Sequence, residues 1–221
     1  MKRSPALVLA GLLMLVVALP AAAQEGLWIG VKAGYGAPSP SVATELQILK
    51  GTDNSGGFVG GIAVEGGWWK NLTVEGEVLY VRRTSENTYF GGTSDHGGYQ
   101  GDVRADYTFT TLEIPFHLKY AFSSGATTPF VTAGFVTTVP LDIESKNYAG
   151  SSTMTEDAKD QFKDAWFSLE VGAGLEHKLS GDVGLSLDLR YVFAVTDSAA
   201  VSGDDWKMRD LRVLAGVKFG L

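Results

Sequence analysis

Apolar residues recur at every second position over long stretches of this chain, and the densest such stretch is Phe167 to Val195. In its second half Val183, Leu185, Leu187, Leu189, Tyr191, Phe193 and Val195 alternate with Gly184, Ser186, Asp188, Arg190, Val192 and Ala194. In its first half Phe167, Leu169, Val171, Ala173 and Leu175 alternate with Ser168, Glu170, Gly172, Gly174 and Glu176. A period of two describes a strand with two unlike faces. The three- and four-residue spacing of an amphipathic helix is missing from both halves. Leu179-Ser180-Gly181-Asp182 separates them with the chemistry of a hairpin turn. Residues 183 to 195, extended and tilted near 40°, would rise about 33 Å, enough to cross the apolar band of an outer membrane.

The same alternation predicts eight strands in all. They are Leu27–Gly36, Gly57–Gly66, Leu72–Arg83, Asp106–Phe122, Thr128–Leu141, the two halves of the central hairpin, and Trp206–Leu221. Short connections at Gly67–Asn71, Ser123–Thr127 and Leu179–Asp182 alternate with long ones at Ala37–Gly56, Thr84–Ala105 and Asp142–Asp164, with a shorter loop at Asp197–Asp205. Tight turns at one end and long loops at the other are the layout of a transmembrane barrel. The predicted fold is therefore all-β, an eight-stranded antiparallel up-and-down transmembrane β-barrel.

Alternation alone does not say which face meets lipid. The polar face carries many mid-strand glycines, such as Gly34, Gly61, Gly172 and Gly216, which weaken strands and suit a crowded interior. It also carries Lys32, Glu65, Glu75, Glu77, Glu113, Lys119, Glu170, Asp188, Arg190, Arg212 and Lys218. Charges of both signs in a narrow interior must pair, so these residues are expected to form an interior charge network that plugs the barrel. The other face is aliphatic between two sets of aromatics, read as interfacial girdles. Trp28, Trp68, Trp69, Tyr120, Phe122, Phe130 and Phe219 fall near the turns; Tyr35, Tyr80, Tyr107, Phe109, Trp166, Phe193 and Trp206 fall near the loops. Pro115 lies inside a strand and cannot donate to a ladder, which predicts a bulge or a locally broken ladder there.

Composition narrows the picture. Lys2 and Arg3, the apolar run Ala6 to Leu19, and Ala21-Ala22-Ala23 make residues 1–23 a signal peptide by pattern, leaving residues 24–221 as one barrel domain. Removing Lys2 and Arg3 from the 18 basic residues leaves 16 against 25 acidic ones, a mature charge near −9 that argues against nucleic-acid binding. With no cysteine, thiolate metal sites, disulfides and thiol nucleophiles are excluded.

Several segments resemble the outer-membrane protein β-barrel family, the PorT-like and OmpX-like small barrels often named "porin family protein". They are Gly30–Gly34 (GVKAG), Leu112–Tyr120 (LEIPFHLKY), Pro129–Gly134 (PFVTAG), Gly172–Glu176 (GAGLE), Leu185–Tyr191 (LSLDLRY) and Ala215–Leu221 (AGVKFGL). The last stretch also resembles the signal read by the barrel-assembly machinery: Gly216, then Phe219 and terminal Leu221 on one face. The resemblance implies outer-membrane location, with outer-membrane lipid, lipopolysaccharide and the assembly machinery as partners, and leaves room for a surface or secretion-system partner. It implies little about task.

Catalytic chemistry is sparsely represented. Asp95-His96 is the one acid–base pair in a long loop and no serine motif completes it; His117 faces the interior between Glu113 and Lys119; His177 lies near a turn. The loop acids Asp142, Glu144, Glu156, Asp157, Asp160 and Asp164 do not follow calcium-loop spacing. The expectation is a non-enzymatic structural or interaction barrel without metal or cofactor. The alternatives are a narrow pore or secretion-associated barrel and, after it, a lipid A-modifying or proteolytic barrel enzyme.

Overall fold

The computed structural model describes residues 25–39, 41–44, 49–89, 103–122, 125–149, 152–200 and 204–221. The signal-peptide segment and Asp95-His96 lie outside these residues. Eight long strands form the wall: β1 (Glu25–Pro38), β3 (Leu49–Trp69), β4 (Leu72–Tyr89), β5 (Val103–Ala121), β6 (Thr127–Ala149), β8 (Trp166–Ser180), β9 (Val183–Ala194) and β11 (Arg209–Gly220). Three short strands, β2 (Ser41–Thr44), β7 (Ser152–Asp157) and β10 (Asp204–Lys207), lie beyond the wall at the loop end. Each wall strand pairs antiparallel with its neighbours, and the β1–β11 and β5–β6 pairings close the ring.

The register can be followed once around. Trp28 pairs with Glu65, then Glu75, His117, Gly134, Glu170, Val192 and Asp210 follow in turn, and Asp210 pairs with Pro38. The path returns to β1 ten residues beyond its start (38 − 28). That stagger is what tilts the strands of a closed barrel, and eight strands leave an interior just wide enough for side chains. Crowding is evident at Gly134, where an added Cβ would sit 1.9 Å from the Phe116 carbonyl oxygen. Gly181 takes a φ of +50° in the two-residue turn between β8 and β9, the left-handed conformation that glycine adopts without cost.

Outward side chains are the odd-numbered apolar set of β8 and β9 and its equivalents. Val31, Ile62, Leu118, Val171, Leu187 and Val213 are all exposed at mid-strand. Polar and charged side chains of the opposite parity are buried inside.

Three expectations need correction. First, the long loops begin as ladder: β3 to β6 run 18 to 23 residues, against 12 to 15 for β1, β8, β9 and β11. Residues 84–89 pair with residues 103–108, and Glu144–Tyr148 pairs with both β5 and β7. Polar side chains had marked these residues as loop, but a ladder that stands in water needs no apolar face. Second, Trp206 belongs to β10, not to the last wall strand. The β2–β10 ladder nevertheless keeps the register of β1–β11, since partner numbers add to 248 in both. Third, Trp28, Tyr107, Phe109, Phe130, Trp166 and Trp206 are not girdle residues. Each falls on lumen parity, and four of them, Phe109, Phe130, Trp166 and Trp206, are buried. Trp68, Trp69, Tyr120, Phe122, Phe219, Tyr35 and Tyr80 are exposed on the outside. As the alternation places them, Gly216 faces inward, where a Cβ would meet Ser186 and Lys32, and Phe219 and Leu221 are exposed. At Pro115 the β4–β5 ladder lapses opposite Glu77 and Val78 and resumes without a slip; the register shift lies instead between Thr110 and Thr111, where β6 carries the extra residue Leu141.

Candidate functional site

The lumen is filled by one connected column of ion pairs. At the turn end Lys218 contacts Glu176 at 2.7 Å and Glu65 at 3.3 Å, and Lys119 contacts Glu176 at 2.5 Å and also Glu65. Two aromatic rings line this layer on its lumen side, Trp28 under Lys218 and Phe130 under Lys119, each 5.0 Å from the ammonium. Lys119 reaches the next layer through Glu75 at 3.7 Å.

The middle layer centres on Arg190, which is fully buried and touches four carboxylates. Its guanidinium lies 2.7 Å from Glu77, 3.1 Å from Glu170, 3.1 Å from Asp188 and 3.3 Å from Glu75. Lys32 shares three of them, at 2.9 Å from Glu75, 2.8 Å from Glu77 and 3.7 Å from Asp188. His117 joins the layer with Nε2 2.6 Å from Glu170 and Nδ1 3.7 Å from Glu75. Planar guanidinium with several donors suits such a hub better than an ammonium would.

In the upper layer Arg212 lies 2.7 Å from both Glu113 and Asp210, and 3.8 Å from Glu170 below. Arg83 closes the layer at 3.2 Å from Asp210 and 3.3 Å from Glu113. All eleven charges that the alternation placed inside meet in this column. Arg83, Glu176 and Asp210 complete it, and sequence reasoning missed them although each shares parity with a neighbour it had placed inside. One wall of the upper lumen is apolar instead: Val59, Leu79, Val81 and Leu214 form a buried patch.

Above the column an apolar cap packs at the loop end of the barrel. Phe109 and Ile143 from the tall wall pack against Ala158, Phe162, Ala199, Trp206 and Met208 from the segments that cross the short wall. Phe162 meets Phe109 edge-on at 5.1 Å and Trp206 edge-on at 5.3 Å. Asp197 ties the crossing segments together, accepting the backbone N–H of Ala199 at 3.0 Å and of Trp206 at 2.8 Å, with Lys163 Nζ at 3.2 Å.

The column offers a possible ligand set in Glu75, Glu77 and His117, whose donor atoms lie within 4.8 Å of one another. Lys32 and Arg190 already hold those carboxylates, so a metal cation would have to displace two resident cations. Of the other histidines, His177 is hydrogen-bonded through Nδ1 to Thr127 Oγ1 at 2.8 Å. The loop acids Asp142 and Glu144 stand on β6 and Glu156 and Asp157 on β7; no metal-ligand group forms among them within the described residues.

Residues 22–200 match the family model described as outer membrane protein beta-barrel domain. No curated protein matches the chain. Among solved structures, OprG from Pseudomonas aeruginosa is similar with a TM-score of 0.51 at 14% identity, covering 89% of this chain and 96% of OprG. Neisserial surface protein A (NspA) gives 0.49 at 15% identity, covering 87% and 96%. The outer-membrane protease OmpT from Escherichia coli gives 0.48 at 10% identity, covering 89% and 97%. At these identities the likeness concerns the fold alone. The chain belongs to the outer membrane protein β-barrel family.

Proposed function

We propose that this small outer-membrane barrel is sealed, and that its task is structural or interactive and carried by its outer end. The observation that carries the reading is the ion-pair column. Arg190 alone holds four carboxylates, and the cap packs at the loop end above. A conducting pore would need a continuous aqueous path, and every layer here is crossed by paired side chains. Catalysis has little support: His117 is enclosed in the column, and His177 sits at a turn. The surface available to a partner is the tall side of the wall, where β7, β6, β5, β4 and β3 continue as a sheet beyond the apolar belt. The β7 strand forms an edge of that sheet, and Thr153 to Asp157 on it are exposed. Export would use residues 1–23, and recognition by the assembly machinery would use outward Phe219 and Leu221.

Planar-bilayer recording tests the seal. The refolded protein is expected to give no steady single-channel current. Arg190→Ala should cost about 3–5 kcal/mol of stability, because it leaves several buried carboxylates short of a partner, yet add no conductance. Steady current from the unaltered protein, or a clear gain in the variant, would make the barrel a gated pore.

A further inference from the structure

Every cation in the lumen has a carboxylate partner, but two arginines on the outside do not. Arg82 and Arg209 are exposed, and among the described residues neither side chain makes an ion pair or a hydrogen bond. Their neighbours fix their direction: Arg83 is buried in the column beside Arg82, and Met208 and Asp210 are buried on either side of Arg209. Both therefore point away from the lumen, and both stand at the upper rim of the apolar belt. Arg82 is two residues beyond exposed Tyr80 and pairs across the ladder with exposed Phe58, which pairs in turn with exposed Tyr35. Arg209 is two residues beyond exposed Leu211 and pairs with half-buried Phe193.

Among residues with described side chains, the outward carboxylates are unevenly distributed around this rim. Outward carboxylates gather on the opposite side, at Asp142, Glu144 and Asp157 on β6 and β7 and at Asp160 and Asp164 just after them. On the arc formed by β4, β3, β1 and β11, the outward carboxylate among residues with described side chains is Glu86, four residues beyond Arg82 and held by Arg104 at 2.8 Å. The arc thus offers two free guanidinium groups directly above aromatic rings, at the depth where apolar surface ends. Arginine matches phosphate with two parallel donors, and a free basic side chain near an anionic membrane surface is worth about 1 kcal/mol.

We infer that Arg82 and Arg209 bind phosphate groups of an outer-leaflet phosphoglycolipid of the lipid A type, making the β4–β3–β1–β11 arc a lipid-recognition surface. The inference rests on the preceding reading in one respect, that the loop end is the outer end. It does not depend on whether the lumen conducts.

The test compares the midpoint of unfolding in phosphatidylcholine vesicles alone, with added lipid A, and with added dephosphorylated lipid A. Phosphorylated lipid should raise the midpoint and dephosphorylated lipid should not. The double variant Arg82→Gln/Arg209→Gln should lose about half of that rise or more, while Arg82→Lys/Arg209→Lys keeps most of it and Lys70→Gln/Lys178→Gln, at the turn end, keeps all of it. Folding of each variant is checked by its gel shift on boiling in phosphatidylcholine; if the double variant does not fold, each single glutamine variant should lose part of the rise. An undiminished rise in the glutamine variants, an equal rise with dephosphorylated lipid, or the same rise from inorganic phosphate would overturn the assignment. Loss of the rise in the Lys70/Lys178 variant would place the phosphates at the turn end and overturn it too.

Discussion

Within the column, charges are shared and do not form separate pairs. Glu77 serves both Arg190 at 2.7 Å and Lys32 at 2.8 Å, so removing it changes two cations at once. Glu77→Gln should therefore destabilise the barrel by about 3–5 kcal/mol, the range for breaking a buried pair from one side. Lys32→Met removes one of the cations that Glu77 balances. In the double variant the two losses should sum to less than their separate effects, by an amount within the range of about 0.5–3 kcal/mol seen for contacting residues. Additive costs in a urea titration of the four proteins would mean that Lys32 and Glu77 act independently. The rings in this region also show what residue type can hide. Phe130 and Trp28 look like interfacial aromatics, but their parity puts them inside, each beside a lysine ammonium at 5.0 Å. Parity was the better guide, and it also marks Arg83, Glu176 and Asp210.

Among the elements, the wall strands were legible because lipid on one side and paired charge on the other enforce strict alternation. The extramembrane ladders were not, because residues such as Thr84 to Tyr89 have water on one face and need no such contrast. Nor did the sequence reveal the cap: Phe162 and Ala199 carry no period, and only the fold brings them under Trp206. Asp197 organises this cap. Partial burial would raise its carboxyl, but the N–H groups of Ala199 and Trp206 and the Lys163 ammonium together hold it below the ordinary aspartate value. A depressed folded-state value means that its contribution is present above about pH 4 and is lost as pH falls through that depressed value. The Trp206 indole NMR signal should accordingly hold its position from neutral pH to about 4 and move below it. Asp197→Asn should remove most of that acid response; an unchanged response would assign it to another group. Phe162→Ala leaves a cavity in the cap and should expose the 158–165 segment to protease, while the gel shift on boiling, which reports the wall, is retained.

On the scale of the whole molecule, two cores face opposite ways. A polar core inside the wall is held by ion pairs, and an apolar belt outside it is stable only against lipid. A soluble barrel would reverse them, and the exposure of Leu187, Leu189 and Tyr191 opposite buried Asp188 and Arg190 fixes the sense. That arrangement makes the cost of a new charge depend on depth. Leu189 is exposed near the middle of β9, so Leu189→Arg places a guanidinium near the centre of the bilayer and should cost about 2–4 kcal/mol. Thr153 is exposed on β7, beyond the belt, and Thr153→Arg should cost about 0–1 kcal/mol, as at or outside an interface. Both variants keep the lumen column intact, so a difference in their refolding midpoints in lipid vesicles reads the solvent around the wall. Equal midpoints would mean that the apolar face of β9 does not lie in hydrocarbon. The same pair measured in a long-chain zwitterionic detergent should keep the order but narrow the gap, because a micelle lets a mid-belt arginine reach water more easily than a bilayer does.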